Sequence, residues 1–326
     1  MTKARLRTSY SSLNVFSSCA RKFEFDKFYP KRPRIWDDNY AADVGSALHT
    51  GYQHYLTHQD KEQAIWAFMQ DFPVVDEWNQ ANEYRSFEAA LATLEEMFDS
   101  AKMYEWELAR IRRPNTPEEV AMGLTEGVVV PAVEVPFEIV FPGLNIPPCG
   151  MFPEGAEISV IGYIDAVMRN LMTDLYRTLD IKTSRMKLLD ATPKFKFDGQ
   201  QVPYGIVVDH IAGGQVDTFE VLYLDCYIDI LEPSVQLYPF MKNREDLKDW
   251  ATNKLVQFQQ IAQFAGQDFF PRTEGGCLFY NKPCRYLEPC MSRSREDLLE
   301  WFLMGDEPAV EDTFFPWITA EVNLGV

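Results

Sequence analysis

Residues 176–185, with the sequence YRTLDIKTSR, carry an acid and an amine two positions apart, Asp180 and Lys182. Alternation of these polar residues with Leu179 and Ile181 is typical of a β-strand, in which residues i and i+2 share a face. Such a pair is either an ordinary surface ion pair or a catalytic edge. In a catalytic edge, the carboxylate binds a metal ion while the lysine steadies a water molecule or a phosphate.

A second carboxylate, Asp165, lies in the preceding strand-like segment, EISVIGYIDAVMRN (157–170). An antiparallel hairpin centred on Met172 and Thr173 would put Asp165 directly opposite Asp180, with Cβ atoms about 4.5–5.5 Å apart. Carboxylates that close repel each other unless a cation lies between them, and oxygen ligands favour Mg²⁺ or Mn²⁺. The spacing therefore predicts a divalent-metal site, whereas a slipped register would leave both acids in solvent.

Three histidines precede this hairpin in a helical segment. His49 lies in GSALHTGYQHYL with apolar and aromatic neighbours, where a packing role is the commoner one for a single histidine. His54 and His58 are one helical turn apart, a spacing that suits a metal, but they are expected on the wet side of the helix.

Other polar candidates lie on either side of the hairpin in sequence. Glu134, in AVEVPFEI, is a carboxylate in a neighbouring strand, and Glu138 competes with it because strand parity puts both on one face. Gln200 and Tyr204 are expected one helical turn apart, where both could touch one nucleic-acid strand; ordinary helix polarity is the alternative.

The elements that must position these residues follow from hydrophobic periodicity. Helical patterns cover residues 11–29 (capped by Ser11 or Ser12), 42–71, 80–112, 198–212 (starting near Asp198) and 244–266 (capped by Asn243). Strand patterns cover residues 127–141, 157–170, 175–184 and 217–229. The order predicts one α/β domain with a helical N-terminal part (1–126), a core (127–266) and a cysteine-rich closing region with an acidic tail (267–326).

The charge distribution bounds the partners. The net charge of −18 argues against binding nucleic acid over the whole surface. Residues 1–34, however, carry nine Lys or Arg against two acids, and residues 182–196 form a second basic stretch. The sequence is compatible with a focused basic groove or with solvated charged faces. No apolar run is long enough to span a membrane, and the N-terminus lacks a signal-peptide core, which predicts a cytoplasmic protein with no membrane partner.

Cysteine usage points to a metal rather than to disulfides. Three of the six cysteines, Cys277, Cys284 and Cys290, lie within fourteen residues of one another. In a cytosolic chain, such clustering favours metal binding. Cys149 and Cys226 are interpreted as ordinary free cysteines.

Taken in order, these segments resemble the RecB-like branch of the PD-(D/E)XK nucleases, and within it an iron–sulfur subgroup that includes AddB-type nucleases and CRISPR-adaptation exonucleases. The resemblance rests on SYSSLNVFSSCARKFEF, GSALH, VEVPF, IGYIDAV, LDIKTS, QQVPY and a final C-x6-C-x5-C, which together span residues 9–290. It implies a restriction-endonuclease-like fold, in which a mixed β-sheet is flanked by helices and the metal lies at the hairpin.

The resemblance also implies a role for each matching residue. The metal ligands would be His49, Asp165, Asp180 and the Ile181 carbonyl, with Lys182 as the catalytic lysine, Glu134 as an auxiliary acid, and Gln200 and Tyr204 as a Q-x-x-x-Y pair. Cys19, Cys277, Cys284 and Cys290 would hold a 4Fe–4S cluster. Many members have C-x2-C where this chain has C-x6-C, so a four-cysteine Zn²⁺ site and unliganded thiols stay open.

The resemblance implies a metal-dependent DNA exonuclease that prefers single strands or DNA ends and works in recombination, repair or replication. A non-catalytic DNA-binding iron–sulfur subunit of a larger complex is the alternative, and a hydrolase of another phosphodiester, such as RNA, is a third. The sequence contains no G-x-x-x-x-G-K-[ST] motif, which favours a free-standing nuclease, and a separate helicase or recombination partner stays open.

Overall fold

The structure is a computed structural model of the chain. It describes residues 4–29, 31–32, 40–73, 85–100, 105–149, 152–184, 192–214, 216–229, 232–273, 277–279, 282–291, 307–308 and 314–322. Arg185 and Lys187, in the second basic stretch, lie outside these residues, as do Lys3 and Arg34 in the first.

The helices in the described part of the chain are, in chain order, α1 Tyr10–Ser18, α2 Ala20–Lys27, α3 Tyr40–His58, α4 Lys61–Asp71, α5 Phe87–Ser100, α6 Pro117–Ala121, α7 Thr192–Lys196, α8 Tyr204–Ile211, α9 Arg244–Gly266 and α10 Leu287–Met291. The strands are β1 Arg5–Thr8, β2 Lys31–Arg32, β3 Trp106–Leu108, β4 Arg110–Arg113, β5 Val128–Pro131, β6 Val133–Ile146, β7 Ala156–Asn170, β8 Tyr176–Ser184, β9 Thr218–Tyr227, β10 Ser234–Asn243, β11 Leu278–Phe279, β12 Lys282–Pro283, β13 Glu307–Pro308 and β14 Ile318–Glu321.

The chain divides into two compact units. Unit 1 contains Met1–Asp37, Phe137–Gly162 and Ala251–Val326, and unit 2 contains Asp38–Pro136 and Tyr163–Trp250. Both units combine helices with strands, which confirms the predicted mixed α/β class. The predicted division into three sequential parts of one domain stays a prediction.

Unit 2 is built on a mixed sheet. Strand β8 pairs in parallel with β9 and antiparallel with β7, while β10 pairs antiparallel with β9 and β3 antiparallel with β7. Leu179 and Ile181 of β8 are almost fully buried and share a hydrophobic core with α3, α4 and α5. Alternation along β8 therefore turns its two apolar residues toward the helices and Asp180 to the opposite face.

Unit 1 holds both chain ends against the remaining segments of β6 and β7. Strand β1 pairs in parallel with residues 157–160, and β14 pairs in parallel with residues 137–140. Helix α9 packs on this sheet through an edge-on contact between Phe141 and Phe258. Gln257 of the same helix donates a 2.9 Å hydrogen bond to the carbonyl of Leu13 in α1.

Two arginines of the N-terminal basic stretch are neutralised inside unit 1. Arg5 and Arg7 bond to Glu138, which is 1% exposed and also accepts a 2.7 Å hydrogen bond from Ser159. Arg21 pairs with Glu24 at 2.6 Å. Intramolecular carboxylates compensate the charge of these three arginines, which disfavours a basic groove as the role of these particular residues.

The helix predicted over residues 11–29 is two helices. Ser9, rather than Ser11 or Ser12, caps α1 by accepting the Ser12 amide, and the extended backbone of Cys19 separates α1 from α2. Ser17 and Ser18 donate hydrogen bonds back to main-chain carbonyls in the last turn of α1. Such side-chain bonds compete with continued helix formation, which explains a break that apolar spacing does not reveal.

The two long helices predicted over residues 42–71 and 80–112 are also interrupted. Gln59 adopts a left-handed φ of 56°, and Asp60 then caps α4 through the Gln63 amide. Residues 106–108 and 110–113 form strands because they pair with β7 and β5, a tertiary effect that overrides local helical preference. The predicted strand over 127–141 is β5 and the longer β6, and β10 was not predicted.

The remaining predicted elements match the structure closely, with one exception. Strands β7, β8 and β9 and helix α9 lie where the sequence predicts them, and Asn243 caps α9 by accepting two main-chain amides. Helix α8 begins at Tyr204 instead of near Asp198, since Pro203 disfavours a helical conformation in the residue before it. Gln200 therefore lies in a bend outside the helix, and the expected helical-turn spacing from Tyr204 is wrong.

Within the described residues, none of the helices is both long and apolar enough to cross a lipid bilayer.

Gly51 lies at a close contact of α3 with α4 and α5 in unit 2. A Cβ atom there would lie 2.8 Å from the Cβ of Phe68 in α4 and 2.9 Å from a methyl group of Leu94 in α5. We therefore expect Gly51→Ala to destabilise the protein by about 1–3 kcal/mol through overpacking, although alanine is the better helix former. Thermal unfolding measures the effect, with the exposed Glu62→Ala in α4 as control. An unchanged or higher melting temperature would contradict this packing.

Candidate active site at the β7–β8 hairpin

A hairpin between β7 and β8 positions the two central aspartates. The ladder pairs Ala166 with Leu179, and one further step in the same register puts Asp165 opposite Asp180. Asn170 builds the turn by accepting hydrogen bonds from the amides of Met172 and Thr173. The hairpin and its predicted centre are confirmed, so the alternative of a slipped register is excluded.

Asp165 is fixed by the main chain of the opposite strand. Its Oδ2 atom accepts a 2.7 Å hydrogen bond from the Ile181 amide and lies 3.7 Å from His49 Nδ1. The other ring nitrogen of His49, Nε2, lies 3.1 Å from the Ile181 carbonyl oxygen. The Asp165 carboxylate, the His49 imidazole and the Ile181 carbonyl therefore converge on one small region.

Helix α3 can bring His49 this close because a small residue faces the sheet. A Cβ atom at Gly45 would lie 3.0 Å from the Thr183 hydroxyl, a tight approach even for alanine. This contact gives a physical reason for the glycine of the GSALH segment. The pocket beside it has a volume of about 550 Å³ and is lined by His49, Glu134 and Thr183 among others.

Glu134 joins His49 and Asp165 from strand β6. One ligand atom from each of the three side chains lies within 4.8 Å of the others, the only such group of metal-ligand side chains in the described residues. Glu134 has a left-handed φ of 48°, so the strand parity assumed for Glu134 and Glu138 fails between them. Glu138 is instead held by Arg5, Arg7 and Ser159.

Gln53 was missed by sequence reasoning. Its side-chain amide donates a short hydrogen bond to the Glu134 carboxylate. Gln53 lies one helical turn after His49, so both side chains face the pocket from α3. The i, i+4 spacing of His49 and Gln53 is the sequence signal for this pair. The same spacing relates His54 and His58, whose ring centroids are 4.4 Å apart.

Asp180 lies outside this group of three, and its carboxylate contacts Lys182. Lys182 Nζ forms an ion pair with Asp180 Oδ2 at 2.7 Å and donates a hydrogen bond of 3.0 Å to Gln200 Oε1. Gln200 in turn donates to the Tyr204 hydroxyl at 3.4 Å, and this hydroxyl donates to the Tyr163 carbonyl at 3.0 Å. The acid, the lysine, the glutamine and the tyrosine thus form one continuous polar network.

The adjacent glutamine has a different environment. Gln201 is fully buried and accepts a 3.2 Å hydrogen bond from the Thr178 hydroxyl. The Asp198 side chain accepts the Gln200 amide at 2.9 Å and so holds the bend that separates the two side chains. Gln200 therefore faces the lysine, while Gln201 belongs to the interior of unit 2.

Burial makes the negative charges at this site costly. It raises the pKa of Asp165 to about 7, with Glu134 adding repulsion and the Ile181 amide opposing the shift. It also raises the pKa of Asp180 to about 7, opposed by Lys182. Burial lowers the pKa of His49, which favours the neutral imidazole that can bind a metal.

These properties fit a hard divalent cation. Carboxylate oxygens, a main-chain carbonyl and a neutral imidazole are suitable ligands for Mg²⁺ or Mn²⁺. A cation would also offset the cost of burying these charges, which is the main cause of the raised aspartate pKa values, and the weaker repulsion between the carboxylates. Asp165, Glu134 and His49 could hold it directly, with Asp180 and the Ile181 carbonyl close by.

Unit 1 contains the N-terminal Cys19 and the three C-terminal cysteines, Cys277, Cys284 and Cys290. Cys19 and Cys277 both act electrostatically on Cys290, whose pKa is raised mainly by burial and lowered by Arg272 and Arg21. The Cys284 amide donates a 2.7 Å hydrogen bond to the Cys277 carbonyl. Cys284 and Cys290 pack against a small aromatic cluster formed by Phe25 and Tyr286. The N-terminal cysteine and the three C-terminal cysteines are thus neighbours, while Cys226 is buried in unit 2.

A hairpin that presents two aspartates and a lysine beside a metal-ligand group defines a metal-dependent phosphodiesterase type of site. The sequence profile of the PD-(D/E)XK nuclease superfamily matches residues 7–291. The chain therefore belongs to the PD-(D/E)XK nuclease superfamily, whose members are metal-dependent nucleases.

The solved structures that are similar to this chain include the following two, both of low sequence identity. One is the crystal structure of a "Putative exonuclease" from Eubacterium rectale, with 14% identity, a TM-score of 0.43, and 83% of this chain and 85% of that chain covered. The other is SSO0001, with 11% identity, a TM-score of 0.25, and 79% and 82% covered. A search of curated proteins finds no match.

The raised pKa of Asp165 predicts how Asp165→Asn changes stability. An unfolded aspartate titrates near pH 3.9, so the folding penalty for its charge is absent below about pH 4, grows toward pH 7 and is complete above it. We expect Asp165→Asn to raise the melting temperature of the metal-free protein at pH 8, with no gain near pH 4.

The same variant should lose the stabilisation that Mn²⁺ gives the wild type. Thermal unfolding in EDTA and in Mn²⁺ measures both effects. The exposed Asp217→Asn is the matched control, since Asp217 is 85% exposed and pairs only with Arg244 among the described contacts. A lower melting temperature of Asp165→Asn at pH 8 in EDTA would contradict the electrostatic argument.

Proposed function

We propose that this protein is a RecB-like metal-dependent deoxyribonuclease that acts as an exonuclease on single strands or DNA ends. The observation that carries the proposal is the contact of Lys182 with Asp180, next to the group formed by His49, Glu134 and Asp165. The group supplies metal ligands, and the lysine supplies a fixed positive charge where a phosphate would carry negative charge. Superfamily membership of residues 7–291 supports the nuclease class independently.

Each side chain has a role that follows from its contacts. Asp165, His49, Asp180 and the Ile181 carbonyl are proposed as metal ligands. Glu134, whose carboxylate belongs to the same group as His49 and Asp165 and contacts Gln53, is proposed as an auxiliary acid that can complete the ligand set. A bound Mg²⁺ or Mn²⁺ would polarise the scissile phosphate and lower the pKa of a coordinated water molecule. The imidazole in the ligand set favours Mn²⁺ as the better activator.

Lys182 is proposed to stabilise the charge that develops on the phosphate and to orient the attacking water. Its ammonium group is held from two sides, by Asp180 and by Gln200, which limits the positions it can take. Tyr204 fixes Gln200 from the far side, at 3.4 Å. The Q-x-x-x-Y pair is therefore a positioning device for the lysine in this proposal.

We also propose that Cys19, Cys277, Cys284 and Cys290 hold a 4Fe–4S cluster, with a four-cysteine Zn²⁺ site as the competing occupant. The electrostatic coupling of Cys19 and Cys277 to Cys290 supports a shared site. Burial raises the pKa of Cys290, and Arg272 and Arg21 oppose this shift only in part, so a bound metal ion would be needed to stabilise the thiolate. Such a site would join segments more than 250 residues apart in sequence and so restrict the unfolded chain.

The preference for single strands or ends, a separate helicase or recombination partner, and a cytoplasmic location rest on the resemblance to the RecB-like subgroup. A non-catalytic iron–sulfur subunit is the second candidate function. The contact between Lys182 and Asp180 disfavours it, because a subunit that only binds DNA has no need for a buried acid paired with an ammonium beside metal ligands.

Cleavage of end-labelled DNA tests the nuclease. We expect the wild type to degrade single-stranded DNA in Mn²⁺ or Mg²⁺ but not in EDTA, and Asp180→Ala and Lys182→Ala to lose at least about 100-fold in rate. His54→Ala, on the same helix as His49, is the matched control and should keep its activity. Equal rates in the wild type and both active-site variants would exclude this site, and faster cleavage of RNA would assign another substrate.

Metal analysis after anaerobic purification tests the cysteine site. We expect Cys284→Ser to lose bound iron, lose the visible absorption of the cluster and unfold at a lower temperature, because a cross-link of the chain ends is removed. Cys149→Ser is the matched control and should keep all three properties. Stoichiometric zinc without iron in the wild type would show that the site binds Zn²⁺ instead of a cluster. If the wild type contains neither iron nor zinc, both kinds of site are excluded.

A further inference from the structure

Tyr163 presents an exposed aromatic ring on the strand that carries Asp165. The two residues are two positions apart in β7, so their side chains share one face of the strand and their Cα atoms are about 7 Å apart. The residue between them, Ile164, is fully buried on the other face. Tyr163 itself is 51% exposed, so about half of its surface faces solvent beside the polar site.

The backbone that carries this ring is held by the polar network of Asp180, Lys182, Gln200 and Tyr204. The Tyr163 carbonyl accepts a 3.0 Å hydrogen bond from the Tyr204 hydroxyl. That hydroxyl also accepts a hydrogen bond from the side-chain amide of Gln200. The Glu134 carboxylate acts on the Tyr163 hydroxyl, whose pKa is raised first by burial and then by that charge. The ring is therefore anchored at its main chain and lies within electrostatic range of the metal-ligand group.

We propose that the ring of Tyr163 is a stacking platform for a nucleobase adjacent to the scissile phosphate, and that it gives the site its preference for single-stranded DNA. This inference rests on the proposed deoxyribonuclease function and names the contact that would select the substrate. The ligand class is an unpaired base of a DNA strand, bound through its π-face without reading its sequence.

The selectivity follows from the state of the base before binding. In a duplex, each base is already stacked and paired, so contact with an outside ring requires that the base be unstacked first. In a single strand, the base can move onto the ring at little cost. A fixed aromatic platform therefore adds affinity for single strands that duplex DNA cannot use.

Binding without cleavage isolates this contact. Fluorescence anisotropy of labelled single-stranded and hairpin DNA in EDTA compares the wild type with Tyr163→Ala, Tyr163→Phe and the control Trp66→Ala. Trp66 is 64% exposed on α4, on the face opposite its buried residues Ala64 and Phe68. We expect Tyr163→Ala to weaken single-strand binding about 5- to 100-fold, with hairpin affinity nearly unchanged. Tyr163→Phe and Trp66→Ala should bind like the wild type.

An abasic scan identifies stacking directly. Each nucleotide of the single strand is replaced in turn by an abasic site. We expect the wild type to lose affinity at one position or two neighbouring positions, while Tyr163→Ala is insensitive there because the ring is already gone. Melting temperatures close to that of the wild type would show that the alanine variant is folded, as the half-exposed ring leads us to expect.

Three results would overturn the inference: equal single-strand binding by the wild type and Tyr163→Ala, an equal loss for single strands and hairpins, or an abasic effect that persists in Tyr163→Ala. These results are independent of catalysis. If the wild type never cleaves DNA but Tyr163→Ala selectively loses single-strand binding, the nuclease function is refuted and the stacking platform is supported. If the wild type shows metal-dependent cleavage but Tyr163→Ala has no binding defect, the nuclease function is supported and the stacking platform is refuted.

Discussion

The desolvation of two aspartates on one hairpin is the constraint on which the site depends. Asp165 and Asp180 occupy opposing positions of β7 and β8, and burial raises the pKa of both. Main-chain and side-chain partners offset only part of this cost, through the Ile181 amide and the Lys182 ammonium. The fold therefore maintains an environment that a bound cation would relieve, which is the electrostatic condition for tight divalent-metal binding.

The hydrophobic core of unit 2 keeps this unfavourable arrangement in place. Leu179 and Ile181 flank Asp180 on β8 and are buried against α3, α4 and α5. A shift of the strand by one residue would turn both apolar side chains out of the core and both polar ones into it. The register of the hairpin is thus set by apolar burial, and the aspartates are held together as a consequence.

Local sequence patterns predicted the parts of the site that depend on strand alternation. The facing aspartates, the lysine two residues on, and the extents of β7, β8 and β9 follow from period-two burial and one turn. The class of fold and the nuclease family were also predictable, because seven short segments occur in a defined order.

The parts that failed depend on the backbone of single residues or on distant partners. The left-handed conformation of Glu134 breaks the parity that linked it to Glu138, and Pro203 moves the start of α8 past Gln200. Pairing of β4 with β5, and neutralisation of Arg5 and Arg7 by Glu138, bring together residues far apart in sequence. None of these effects leaves a periodic trace in the segment that it changes.

The polar network explains how residues outside the metal-ligand group can affect it. The Tyr204 hydroxyl is shared between Gln200 and the Tyr163 carbonyl, and Gln200 contacts Lys182. Burial raises the pKa of Tyr204 well above its usual value, so the hydroxyl is protonated at neutral pH and can donate a hydrogen bond. The neutral hydroxyl of Tyr204 therefore couples the position of Lys182 to the backbone of Tyr163. A change at Tyr204 would loosen both, whereas a change at the Tyr163 ring would leave the lysine in place.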